Sequence, residues 1–118
     1  MNLENERIIQ KLVQVNKNFS NGAIMNKSSL EFAISSAYKS KDWQEELTFV
    51  VRALLCDHIF MDGNKRTAAA YIIAVLEEFK CKYDPFKIDR LVLKIVKMNI
   101  TNVKTIRRMI ENASTKNF

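Results

Sequence analysis

Residues that punctuate a chain are scarce here, with 2 glycines and 1 proline among 118 residues. An all-β domain needs a tight turn at every hairpin and draws on these residues for it, so the composition points away from β architecture. Cysteine is as rare. Cys56 and Cys81 stand in no metal-binding spacing and form no disulfide framework. The opening residues Asn2, Glu4, Asn5 and Glu6 lack the basic stretch and apolar core of a secretory leader. Reduced thiols and a cytoplasmic location are therefore expected. The longest apolar stretch, Ala68 to Leu76, falls short of the roughly 20 residues of a membrane span, so no membrane partner is expected. Histidine occurs once, as His58.

What the chain does have is a hydrophobic fraction of 47% with 27% charged residues, enough to enclose one core. Residues 1–118 read as a single domain. The formal charge of +6 attracts anions: nucleotides, nucleic acid or acidic proteins. Much of the excess lies at Lys94, Lys97, Lys104, Arg107 and Arg108. At helical intervals these read as a solvated helix face, and direct nucleic-acid binding is not expected.

Apolar periodicity predicts helices throughout. Ile8, Ile9, Leu12, Val13 and Val15 mark one from Glu4 to about Lys17. Residues 18–27, with Asn21-Gly22 and Asn26, predict a loop or short hairpin. Ser28 and Glu31 read as a capping box for the next helix, which buries Leu30, Ala33, Ile34 and Ala37. Asp42 and Glu45 open a third helix that runs to about His58. Thr67 to Phe79 is apolar nearly all round and predicts a central helix. Pro85 suits the first turn of the next, Phe86 to Met98, and Val103 to Asn112 forms the last. The polar tail from Ala113 to Phe118 is expected to fray.

The stretch His58-Ile59-Phe60-Met61-Asp62-Gly63-Asn64-Lys65-Arg66-Thr67 lies between two predicted helices and has the makings of an anion site. A helix start presents unpaired amides and partial positive charge. Gly63 permits positive φ and lets a phosphate approach the backbone. Asn64 tolerates the left-handed region and adds an amide donor, and successive amides form an anion nest. Lys65 and Arg66 oppose the helix dipole, a conflict that a bound phosphate resolves; Arg66 can contact two oxygens at once. Asp62 suits a Mg²⁺ held mainly by phosphate oxygens and water. His58 suits a general base near neutral pH. Base, metal ligand, cradle and guanidinium together fit phosphoryl-group transfer. Taken singly they have plainer roles: a histidine at a helix C-terminus, Asp62 as an N-cap, Asp-Gly-Asn as turn chemistry, Phe60 as core.

The run HIFMDGNKRTA resembles the signature of the Fic/Doc family: His, any residue, Phe, any residue, Asp or Glu, Gly or Ala, Asn, Gly or Lys, Arg. Every defined position is met. Weaker similarity covers Gly22 to Ala37, which resembles the flap and short helix upstream of the motif. The resemblance implies an all-α, compact Fic-fold helical bundle with a short flap or hairpin before the core helices. It implies ATP as donor and Mg²⁺ as cofactor. His58 matches the general base, Asp62 the Mg²⁺ ligand, Gly63 and Asn64 the anion-hole loop, Arg66 the phosphate-binding residue, and Phe60 the anchor of the loop. Lys65 stands where Fic nucleotidyltransferases mostly have Gly and where Doc-type proteins have Lys. That position implies a toxin-like protein kinase passing the γ-phosphate of ATP to a Ser or Thr of a host protein, a translation elongation factor in the family. Ile59, in place of the Pro common in Fic proteins, leans the same way; Gly63, where Doc often has Ala, leans towards the alternative, AMP transfer. A non-catalytic module holding nucleotide or nucleic acid is the reading from another class.

Ala23, Ile24 and Met25 are expected to expose an edge onto which the target segment adds as a strand. The family's inhibitory helix pairs Ser or Thr with Glu four residues on, followed by Gly or Asn. Here Glu111-Asn112 has Arg107 in the hydroxyl position. Restraint is then expected from a separate antitoxin, whose acidic segment would suit the chain's charge.

Overall fold

The structure is a computed structural model and describes residues 3–40, 42–116 and 118. Helix α1 (Leu3–Asn16) turns its Ile8, Ile9 and Leu12 inward, as the sequence spacing predicts. Helix α2 (Lys27–Ser40) begins one residue ahead of Ser28. Ser28 therefore lies inside the first turn instead of capping it, and the Asn26 carbonyl takes the Leu30 N–H at 3.4 Å. Glu31 faces Lys27 one turn back, at 4.0 Å.

Helix α3 (Trp43–Cys56) starts as its sequence predicts. Asp42 is the N-cap, with Oδ1 accepting from the Gln44 N–H at 2.9 Å. Glu45 and Glu46 in the first turn complement the dipole. The helix ends at Cys56, two residues short of His58, and Asp57 closes it by donating to the Ala53 carbonyl at 3.0 Å.

Helix α4 (Asn64–Glu78) begins three residues before Thr67, because Gly63 itself turns the chain into the helix. It buries Ala68, Tyr71, Ile72, Val75 and Leu76. It packs against α1, α3 and α5 (Pro85–Lys97), while α3 touches α2, α4, α5 and α6 (Val103–Ala113). The centre of the bundle is thus shared by α3 and α4. Pro85 is the first residue of α5, behind an Asp84 N-cap, and Asn102 caps α6 through the Thr105 N–H.

One cluster of buried side chains runs through all six helices, from Ile8 and Leu12 to Ile106 and Ile110. The fold is all-α apart from one small sheet. Strand β1 (Lys82–Tyr83) pairs antiparallel with β2 (Ser114–Lys116). The tail therefore does not fray over this stretch. Its backbone is held by β1, and the Asp84 N–H donates to the Ala113 carbonyl at 2.9 Å. Phe118 stands edge-on to Trp43, with ring centres 5.6 Å apart, and Trp43 stacks on Phe79 at 4.2 Å. Arg107 leaves the solvated basic face: it bonds Asp42 at 3.1 Å, tying α6 to the start of α3. Among the described residues no helix is long and apolar enough to cross a membrane.

Candidate functional site

The chain between α3 and α4 is anchored from inside. Ile59 and Phe60 are 0% and 1% exposed, so the residues on either side are held at the surface by a buried pair. His58, immediately before them, has φ +50°. That left-handed conformation is uncommon for a residue with a Cβ and carries some strain. His58 is exposed, and its ring has no hydrogen-bond partner among the described residues.

Asn64 fixes the other end. Its Oδ1 accepts the Phe60 N–H at 3.0 Å and its Nδ2 donates to the Phe60 carbonyl at 2.9 Å. The sequence marks Asn64 as tolerant of the left-handed region and as an anion donor. Instead it is the first helical residue, its side chain is first a clamp on the loop, and its backbone N–H faces no acceptor. The left-handed residue is Gly63, at φ +77°. Gly63 is also the N-cap, so Asp62 is not. A Cβ on Gly63 would sit 3.2 Å from Asn16 Nδ2 and 3.5 Å from the Cβ atoms of Phe19 and Ser20. The left-handed conformation favours glycine there, and a Cβ would be a tight fit against Asn16.

Asn16 is the residue that sequence reasoning missed. It closes α1 and is 0% exposed. Its Nδ2 donates to the Asp62 carbonyl and to Thr67 Oγ1, each at 3.0 Å, and its Oδ1 accepts the Gly22 N–H at 2.9 Å. One buried amide therefore joins α1, the flap, the loop and α4. Its signal in the sequence is slight: a polar residue one turn beyond Leu12, before a turn.

The flap is tied to the same loop. Ile24 forms an antiparallel bridge with Phe60. The Met25 and Asn26 N–H groups donate to the Ile59 carbonyl at 2.7 and 3.1 Å, and the Met61 N–H donates to the Ala23 carbonyl at 3.1 Å. One edge of Ala23–Met25 is thus engaged by the loop itself. On the other edge the N–H and C=O of Ile24 make no hydrogen bond among the described residues. Met25 is 62% exposed beside it.

These elements border a cleft of about 570 Å³, lined by His58, Met61, Asp62, Gly63, Asn64, Lys65 and Arg66 together with Phe19, Leu55 and Val96. Every residue marked by the motif except the buried Phe60 reaches it; Ala23, Ile24 and Met25 do not line it. The start of α4 has no side-chain cap bond and no acidic residue in its first turn. Among the described residues the N–H groups of Asn64, Lys65 and Arg66 find no acceptor, the first bonded amide being that of Thr67, which donates to the Gly63 carbonyl at 2.9 Å. Asp62, Lys65 and Arg66 are exposed and form no ion pair among the described residues. These amides, the two cations and the positive helix end are the kinds of group that a bound anion meets.

Among the described residues no three His, Cys, Asp or Glu side chains gather around one point. The lone carboxylate of Asp62 still fits Mg²⁺, which takes one or two carboxylates and completes its shell with phosphate oxygens and water. No protein-family model, curated protein or solved structure matches the chain significantly.

Proposed function

We propose that the chain is a Doc-type protein kinase, passing the γ-phosphate of ATP to a Ser or Thr hydroxyl of another protein. The observation that supports it is a single cleft bordered by an imidazole, a carboxylate and two cations that have no partner among the described residues, at a helix start without a side-chain cap bond.

In this reading the His58 imidazole takes the acceptor's hydroxyl proton as that oxygen attacks the γ-phosphorus. The bond from the γ-phosphorus to its bridging oxygen breaks, and ADP leaves with the electron pair. Arg66, Lys65 and the free amides of α4 hold the phosphate charge before and during the transfer. Asp62 would hold Mg²⁺, which when bound neutralises charge on the phosphate oxygens. Asn64 and Asn16 keep the loop in shape through Phe60, Asp62 and Thr67. The acceptor segment lies along the free edge at Ile24.

Labelled ATP decides the reading. With Mg²⁺ and a bacterial lysate, γ-phosphate label is expected on a protein and α-phosphate label is not. Transfer of α-label, with AMP added to the target, would replace kinase by adenylyltransferase. Transfer of neither label would leave a nucleotide-binding module and overturn the enzyme.

A further inference from the structure

The cleft has two chemically different halves, and phosphate transfer uses one of them. The loop and the start of α4 bring charge and amides. The remainder is carbon: Phe19 from the turn after α1, Leu55 near the end of α3, Met61 and, from α5, Val96. A phosphate gains nothing from carbon walls. A cleft of about 570 Å³ has the size of an organic-ligand site and far exceeds an inorganic phosphate.

Phe19 is the one phenyl ring on this lining, beside the imidazole of His58, and its backbone is held in place. Its N–H donates to the Asn16 carbonyl at 2.8 Å. Its Cβ lies 3.5 Å from where a Gly63 Cβ would stand, so it abuts the turn of the phosphate cradle. It is nevertheless 37% exposed, whereas Phe60 in the same region is hidden. A half-open ring on a fixed backbone, beside an anion cradle, suits a ligand that carries a flat π face beyond a phosphate chain. The four apolar side chains offer no hydrogen bond to a base edge beyond the weak thioether of Met61.

We propose that Phe19, with Leu55, Met61 and Val96, forms a nucleobase wall that binds by stacking and does not read the base, so that the site accepts ATP and GTP alike. The inference rests on the phosphate-cradle reading of the loop. Stacking tolerates any base, because every base has a π face. Strong discrimination between similar ligands requires buried hydrogen-bonding groups, which these four side chains do not provide.

Calorimetric titration of the whole chain in excess Mg²⁺ tests it, with ATP, GTP and inorganic tripolyphosphate as ligands. ATP and GTP are expected to bind within about threefold of each other, and each about tenfold or more tighter than tripolyphosphate. Phe19→Ala keeps the Cβ that packs on Gly63. It should lose most of that advantage for both nucleotides and leave tripolyphosphate binding unchanged, which also reports an intact fold; Phe19→Trp should restore it. A preference for ATP over GTP of about a hundredfold would mean that the base is read, and would overturn the proposal. Tripolyphosphate binding as tightly as ATP would remove the base wall while leaving the cradle standing. Binding of none of the three would remove the cradle, and the proposed phosphotransfer with it.

Discussion

Two helices of this protein begin in opposite ways. Helix α3 opens with the Asp42 side chain bonded to the Gln44 amide, two glutamates behind it, and Arg107 closing over the cap. Helix α4 opens with a left-handed glycine, no side-chain cap bond, and Lys65 and Arg66 where the dipole favours acids. Each arrangement at α3 stabilises the helix; those at α4 leave amides and cations unsatisfied. Asn16 braces the turn before α4 without capping it: its Nδ2 donates from α1 to the Asp62 carbonyl and the Thr67 hydroxyl and leaves the first amides of α4 as they are. The contrast is between a helix start satisfied by its own chain and one whose first amides are open to solvent, and the proposed phosphate site rests on the second.

The largest expected effect is on chemistry alone. His58→Ala should lower phosphate transfer by roughly 10²- to 10⁴-fold, with ATP binding close to wild type in a filter or calorimetric assay. Undiminished transfer would remove His58 as the base. Next is the brace under α4. Asn16→Ala strands the buried Thr67 hydroxyl along with the part-buried Asp62 carbonyl and Gly22 N–H, and should cost about 1–3 kcal/mol in denaturant unfolding. It should weaken nucleotide binding as well, since the loop it holds is the cradle; a variant of unchanged stability would show that the network is incidental.

At the other helix start the effect should be confined to stability. Asp42→Ala is expected to cost on the order of 1 kcal/mol and leave nucleotide affinity unchanged. An affinity change there would undo the separation between the two starts. The smallest effect has the most telling sign. Lys65→Glu gives α4 the acidic first turn that α3 has. It should raise stability by roughly 0.3–1 kcal/mol at low salt while weakening ATP binding by about tenfold or more. Loss of stability in this variant would mean that Lys65 serves the fold.

Much of this could be read along the chain. The apolar spacing of Leu47, Val50, Val51, Leu54 and Leu55, the Asp42 cap and Pro85 at a helix start are local signals, and each acts within a turn or two of itself. The motif residues were legible for the same reason: His58 to Arg66 is one short loop, so sequence proximity guarantees a shared neighbourhood. The start of α4 was misplaced because Asn64, Lys65 and Arg66 have the composition of a loop, and only the φ of Gly63 turns them into the first helical turn. The Ser28 box was misplaced by one residue because Asn26 opens that helix with its backbone carbonyl.

An all-helical chain, with the motif residues together in one loop between two helices, follows from sequence alone, since periodicity, caps and a contiguous motif need no distant partner. Tertiary structure decided everything that joins residues far apart. It buried Asn16 completely and gave it partners 46 and 51 residues away. It set the flap against the loop through Ile24 and Phe60, paired the tail with Lys82 and Tyr83, and brought Phe19 and Val96 to the walls of one cleft. A polar side chain, a short strand or a lone aromatic has no periodic signature, and its meaning lies in the surface it meets when the helices pack.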